Sequence, residues 1–260
     1  MTLSQAQFQK YIAALRKINN KAVEEFRNFT IKNGGYAHID RQVLIDYAYG
    51  IATKYGESAA ALSAEMYDTI AQASNALVPS AIPADTAGYQ EVKKTVNGII
   101  KNTGSDDVLA DGIGRLVKMA GTDTTLQNAY RDREPMRASK RAYKQRHNGA
   151  QVAWVPVGDT CPFCIMLAGA GWRKQTNWGA EQHTEHVHAN CDCTYMVRFD
   201  NSFTVEGYDP KEYSKMYNEA DGGTMEEKLN AMRREDYAEH KDEINEQKRE
   251  AYARRQEETT

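Results

Sequence analysis

All four cysteines of this 260-residue chain fall between positions 161 and 193. They stand in two groups, Cys161-Pro162-Phe163-Cys164 and Cys191-Asp192-Cys193, with His188 three residues before the second group. A C-x-x-C pair puts two thiolates on one tight turn, where both sulfurs can face the same metal ion. In an extended C-x-C segment both side chains point to one side, because the strand period is two. Cys161, Cys164, His188, Cys191 and Cys193 therefore compete for four tetrahedral positions. A closed, thiolate-rich set suits zinc in a structural role, since a catalytic zinc keeps a position open for water. The favoured ligands are Cys161, Cys164, His188 and one of Cys191 and Cys193, ahead of a set of four cysteines. Disulfides, a redox C-x-x-C and plain buried thiols are the competing readings. His183 and His186 are surplus to such a site.

A metal here has a physical purpose. The 26 residues between Cys164 and Cys191 include Gly169, Gly171 and Gly179 and are too polar to hold their own shape. Closing that loop through an ion restrains both ends, and structural zinc in small modules supplies on the order of 10 kcal/mol of apparent folding free energy. Metal removal is expected to loosen this module and leave the N-terminal helices intact.

The elements that must carry the cysteines begin with helices. Phe8, Tyr11, Ile12, Leu15, Ile18, Val23 and Phe26 recur near a 3.6 period, and Gly34-Gly35 ends the run. Val43, Leu44, Tyr47, Ile51 and Tyr55 mark one side of a second helix with Gly56 after it. A third starts near Ser58 and carries Leu62, Met66, Ile70 and Ala73. Pro79 and Pro83 mark a loop. Two further helices are predicted over 88–101 and 105–120, the second with Ser105 as N-cap. At residue 151 the character changes. QVAWVPV reads as a strand that Pro156 confines to an edge or an end. CTYMVRF alternates Tyr195, Val197 and Phe199 against Thr194, Met196 and Arg198, a strand of period two. The fold class is α+β. A mostly helical N-terminal domain (1–130) precedes a small α/β, zinc-stapled module (131–205) and a charged helical tail (206–260). From about Met225 to Glu258 the apolar residues are too sparse for a wide core stripe, and pairs such as Glu250–Arg254 support a solvated helix.

Charge narrows the partners. The net charge is −3, so no global pull toward nucleic acid exists. The run from Arg131 to His147 is nonetheless basic, and Arg137, Lys140, Arg141 and Lys144 are its candidate phosphate-binding residues. No apolar stretch is long enough to span a bilayer, and the N-terminus lacks the continuous apolar segment of a signal peptide. A reducing, cytoplasm-like compartment follows. There is no Gly-rich phosphate loop, no G-x-S-x-G elbow and no H-E-x-x-H helix, so neither an enzyme nor a small-molecule substrate is expected.

Several of these pieces together resemble the phage Mu F-like minor capsid, or head morphogenesis, proteins. They are Trp154-Val155-Pro156, then Cys161-Pro162-Phe163-Cys164-Ile165-Met166-Leu167-Ala168, Gly171, and His188-Ala189-Asn190-Cys191-Asp192-Cys193. Arg137-Ala138-Ser139 sits where that family often has an Arg-led polar triplet, and its lack of Glu argues against a transferase-like active site. The resemblance covers residues 131–200. It implies a non-enzymatic minor component of the virion head, made in the host cytoplasm. Its partners would be capsid and portal proteins and, as for some members, packaged DNA. Two alternatives remain: a zinc-stapled nuclease of the His-Asn-His kind, suggested by the order Glu185-His186-Val187-His188-Ala189-Asn190, and a DNA-binding adaptor using the basic run.

Overall fold

The computed structural model describes residues 2–102, 104–134, 149–157, 160–175 and 193–257. Four helices come first: α1 (Gln5–Lys32), α2 (Arg41–Ala73), α3 (Tyr89–Asn102) and α4 (Asp106–Arg131). A short strand β1 (Thr2–Leu3) precedes them. After α4 come β2 (Gln151–Val155), α5 (Pro162–Gly169), β3 (Thr194–Arg198), β4 (Thr204–Val205), α6 (Pro210–Glu219) and α7 (Met225–Glu257). The α+β class holds, with helices dominating the N-terminal half.

Local chemistry sets the helix ends. Ser4 and Gln7 form a capping box: the Gln7 N–H donates to Ser4 Oγ at 3.2 Å, and the Ser4 N–H donates to Gln7 Oε1 at 3.1 Å. Gly34 and Gly35 end α1 at φ +78° and +96°, conformations that a Cβ would strain. Asp40 caps α2 by accepting from the Gln42 and Val43 N–H groups.

Four helical expectations change. The second and third predicted helices are one continuous α2 running through Gly56. A single glycine costs a helix only about 1 kcal/mol, and this one serves proximity: a Cβ there would stand 2.9 Å from Thr86 Cγ2. Val43, expected on the core side, is 52 % exposed. Ser105 occupies the N-cap of α4, but its side chain makes no capping bond. That helix also continues well past residue 120, its buried Thr122 and Thr124 hydroxyls donating to the carbonyls of Lys118 and Ala120.

Two cores result. One is made by helices alone and centres on Phe26, Leu44, Ile51, Val96, Leu109 and Ile113. The other joins the first turns of α1 and the last turns of α2 and α4 to the strands, through Phe8, Tyr11, Tyr67, Leu126, Trp154, Tyr195, Phe199 and Phe203. Strand β3 pairs antiparallel with β2, with Trp154 opposite Tyr195 and Gln151 opposite Arg198. Thr194, Tyr195, Met196 and Val197 are all buried, so both faces of the strand are covered. The sheet lies between layers. Thr194 is hydrogen-bonded with Tyr11 of the bundle, and α5 packs on β2 and in turn on α6. The N-terminus is tied to the same region. β1 runs parallel to β4, and the Gln5 N–H donates to the Glu206 carboxylate at 2.8 Å.

Candidate structural metal centre

The C-x-x-C pair sits on the first turn of α5. Cys161 is the N-cap residue, extended at φ −62° and ψ 153°, and Pro162 follows at N1, where its missing N–H costs nothing. The Cys161 carbonyl accepts from the Ile165 N–H at 3.0 Å, the first bond of the helix. Cys164 is 3 % exposed and Cys161 half-buried. The helix is short because Gly171, at φ +62°, turns the chain away. Gly169 lets α6 approach closely, since a Cβ there would stand 2.9 Å from the Ser214 backbone.

Cys193 immediately precedes β3 and is 1 % exposed. Cys164 and Cys193 belong to the mixed core, and Cys161 packs against it. The structure thus sets the three described cysteines along one core, from two segments about thirty residues apart. His188 and Cys191 lie outside the described residues, as do His183, His186, Arg137, Lys140, Arg141 and Lys144. Among the described residues, no group of three or more His, Cys, Asp or Glu side chains is arranged to hold a metal. Cys161, Cys164 and Cys193 by themselves do not form such a group.

Tyrosines stand near two of the thiols, Tyr195 by Cys164 and Tyr213 by Cys193. Trp154 and Tyr195 meet edge to face with centroids 4.8 Å apart. Burial raises the Tyr195 pKa above its ordinary value; Arg173 opposes that and the Cys164 sulfur adds to it. Burial likewise raises Tyr213 of α6, with a smaller contribution from Cys193. Tyr11, wholly buried beneath β3, is pushed up to about 12 by desolvation, against the lowering effect of bonds with Ser63 and Thr194. These tyrosines therefore stay neutral hydroxyls at any physiological pH. Arg173 adds an antiparallel bridge on the open side of β2, with N···O distances of 2.8 and 2.9 Å to Val152. Nothing in the sequence pattern signalled Arg173 or Tyr213. Trp154 was noted as part of a strand.

The basic run begins with structural work. Arg131 holds the buried Asp132 carboxylate through two bonds, 2.8 Å from Nε and 2.7 Å from Nη2. It also donates to the Pro79 and Ser80 carbonyls. The Tyr67 hydroxyl donates to Asp132 at 2.9 Å, and burial followed by that carboxylate drives its pKa far up. Arg133 lies over the Tyr130 ring at 3.9 Å and donates to its carbonyl. The first two cations of the run are thus engaged within the fold.

Fold and centre define an α+β protein in which a helical bundle shares a core with a small cysteine-bearing sheet. No described helix is long and apolar enough to cross a membrane. The profile of the VG15 protein family matches residues 2–220, and the chain belongs to that family of viral proteins. No curated protein and no solved structure matches it.

Proposed function

We propose that this protein is a non-enzymatic minor head component of a phage, acting in head morphogenesis, whose cysteine module is stapled by one structural zinc ion. The observation that carries the reading is the placement of Cys161, Cys164 and Cys193 against one core, from segments on either side of a long polar loop. Cys161, Cys164 and one or both of Cys191 and Cys193 would hold the ion, with His188 as the competing fourth ligand. Zinc would supply a closed crosslink and no chemistry of its own. The family match supports a viral protein, and the Mu F-like pattern over residues 131–200 points to the head, where capsid and portal proteins are the partners. Packaged DNA is the natural partner of Arg137, Lys140, Arg141 and Lys144.

Metal content by mass spectrometry tests the staple. One zinc per wild-type chain, lost in Cys161→Ser, is the expected result, and His188→Ala assigns the fourth ligand. Folded protein devoid of metal would sink the reading. Cleavage of plasmid DNA with magnesium or manganese, abolished in His186→Ala and His188→Ala, would replace it with the nuclease.

A further inference from the structure

The described thiols differ in how far solvent reaches them. Cys164 and Cys193 are buried, at 3 % and 1 % exposure, whereas Cys161 is half-buried. A reagent arriving from solvent therefore meets the Cys161 sulfur first among these three.

Backbone geometry sets what stands beside it. Cys161 is the N-cap of α5, and Cys164 is the third residue inside the helix. The Ile165 N–H donates to the Cys161 carbonyl at 3.0 Å, so the first turn is closed around the pair. Residues three apart on a helical turn have Cα atoms roughly 5 Å from each other. A disulfide bridges Cα atoms about 4.4–6.8 Å apart. Pro162 lies between the two cysteines and fixes its own φ, which leaves the turn little freedom to open. The turn thus needs no rebuilding to accept an S–S bond. Cys193 is placed differently, ahead of β3 and remote in sequence from α5.

We infer that Cys161 and Cys164 form a reversible oxidation site, a dithiol that hydroperoxides convert to a disulfide. The Cys161 sulfur attacks one oxygen of hydrogen peroxide and breaks the O–O bond. It becomes a sulfenic acid, and the other oxygen leaves as water with the thiol proton. The Cys164 sulfur then displaces the sulfenic hydroxyl, which leaves as a second water with the Cys164 proton. The two thiols lose two electrons and the peroxide gains them. This step stands on α5 alone. Its consequence rests on the zinc reading: both sulfurs leave the ligand set together, and the ion is released. Oxidation then exchanges a crosslink across the polar loop for one within a single turn.

Peroxide treatment of the full chain tests this. Trypsin yields a peptide of residues 147–173 that carries Cys161 and Cys164 and no other cysteine. The disulfide therefore reads as a loss of two hydrogens from that peptide. It should form in most chains, release about one zinc per chain to a chromogenic chelator at the same rate, and revert with dithiothreitol. In Cys164→Ser the sulfenic acid on Cys161 should persist and be trapped by dimedone. In wild type stripped of metal, iodoacetamide should modify Cys161 about tenfold faster than Cys164 or Cys193. Peroxide that leaves both thiols reduced would overturn the site. So would a disulfide joining this peptide to Cys191 or Cys193, or sulfinic acid on Cys161 beside a reduced Cys164. Zinc retained on chains that carry the disulfide would overturn the release. Protein that holds no zinc at the outset yet forms the disulfide would sink the zinc reading and uphold the oxidation site.

Discussion

The two ends of the helical bundle solve the same packing problem with different materials. At the end where α1 runs into α2, the core is wholly helical and mainly aliphatic around Phe26, and Leu44, Val96, Leu109 and Ile113 are completely buried. It is assembled within the first 117 residues, with α1 and α2 both packing on α4. At the opposite end, the core draws on Leu3, Tyr67, Trp154, Cys193 and Phe203, which are up to two hundred residues apart. It also encloses polar groups that must be satisfied, among them Asp132, Thr194 and Ser63. A core with little sequence locality pays more chain entropy before its contacts form. That is where an added crosslink stabilises most, and it is where the cysteines are.

Metal removal offers the largest effect by which to break this comparison. On the zinc reading, a strong chelator removes a contribution bounded by roughly 10 kcal/mol. Amide exchange should accelerate in β2 and β3 and, through the shared core, in the last turns of α2 and α4. The stretches around Leu44–Ile51 and Leu109–Val117 should keep their protection. That refines the expectation that all N-terminal helices are indifferent to the metal, and equal acceleration at both ends would end the distinction.

Next in size is Asp132→Ala. It strips the partner from Arg131 and from the Tyr67 hydroxyl at the mixed end, and chemical denaturation should show a loss of about 3–5 kcal/mol. Arg27→Ala at the helical end removes an exposed pair with Asp107, 2.9 Å long, and should cost no more than about 1 kcal/mol. Similar losses for the two variants would contradict the picture.

Glycine substitutions sharpen the comparison with the smallest effects. At Gly121 a Cβ would stand 2.9 Å from Ser63 Oγ and 3.3 Å from the Ala59 carbonyl oxygen. Gly121→Ala should lower stability by about 1–3 kcal/mol, because α4 and α2 are already in close contact there. Gly98, inside α3, has nothing within 4 Å of such a Cβ, and Gly98→Ala should raise stability by about 0.5–1 kcal/mol. Thermal unfolding midpoints moving in opposite directions are the expected readout.

Much of the architecture was legible beforehand because periodicity is a local property. The stripe of α1, its stop at Gly34-Gly35, the proline-marked loop and both central strands follow from burial at intervals of 3.6 or 2. What was misread depends on distant contacts. Gly56 looked like a terminator, but its purpose lies in the nearness of Thr86, thirty residues on. Alternation marked β3 as a strand and left open that both its faces are buried. At the cysteines, the spacing indicated that Cys161 and Cys164 share a turn. It gave no hint that Tyr195 would stand near Cys164 or Tyr213 near Cys193.

By itself the sequence determined the helical half, the two strands, and the clustering of every thiol within one short region, since these depend on neighbours along the chain. Only the tertiary structure decided that the cysteine-bearing sheet has no separate core and completes one end of the bundle. The reason is geometric. Which surfaces meet across two hundred residues depends on helix lengths and on the close approaches that Gly56, Gly121 and Gly169 permit, and no local pattern encodes those distances.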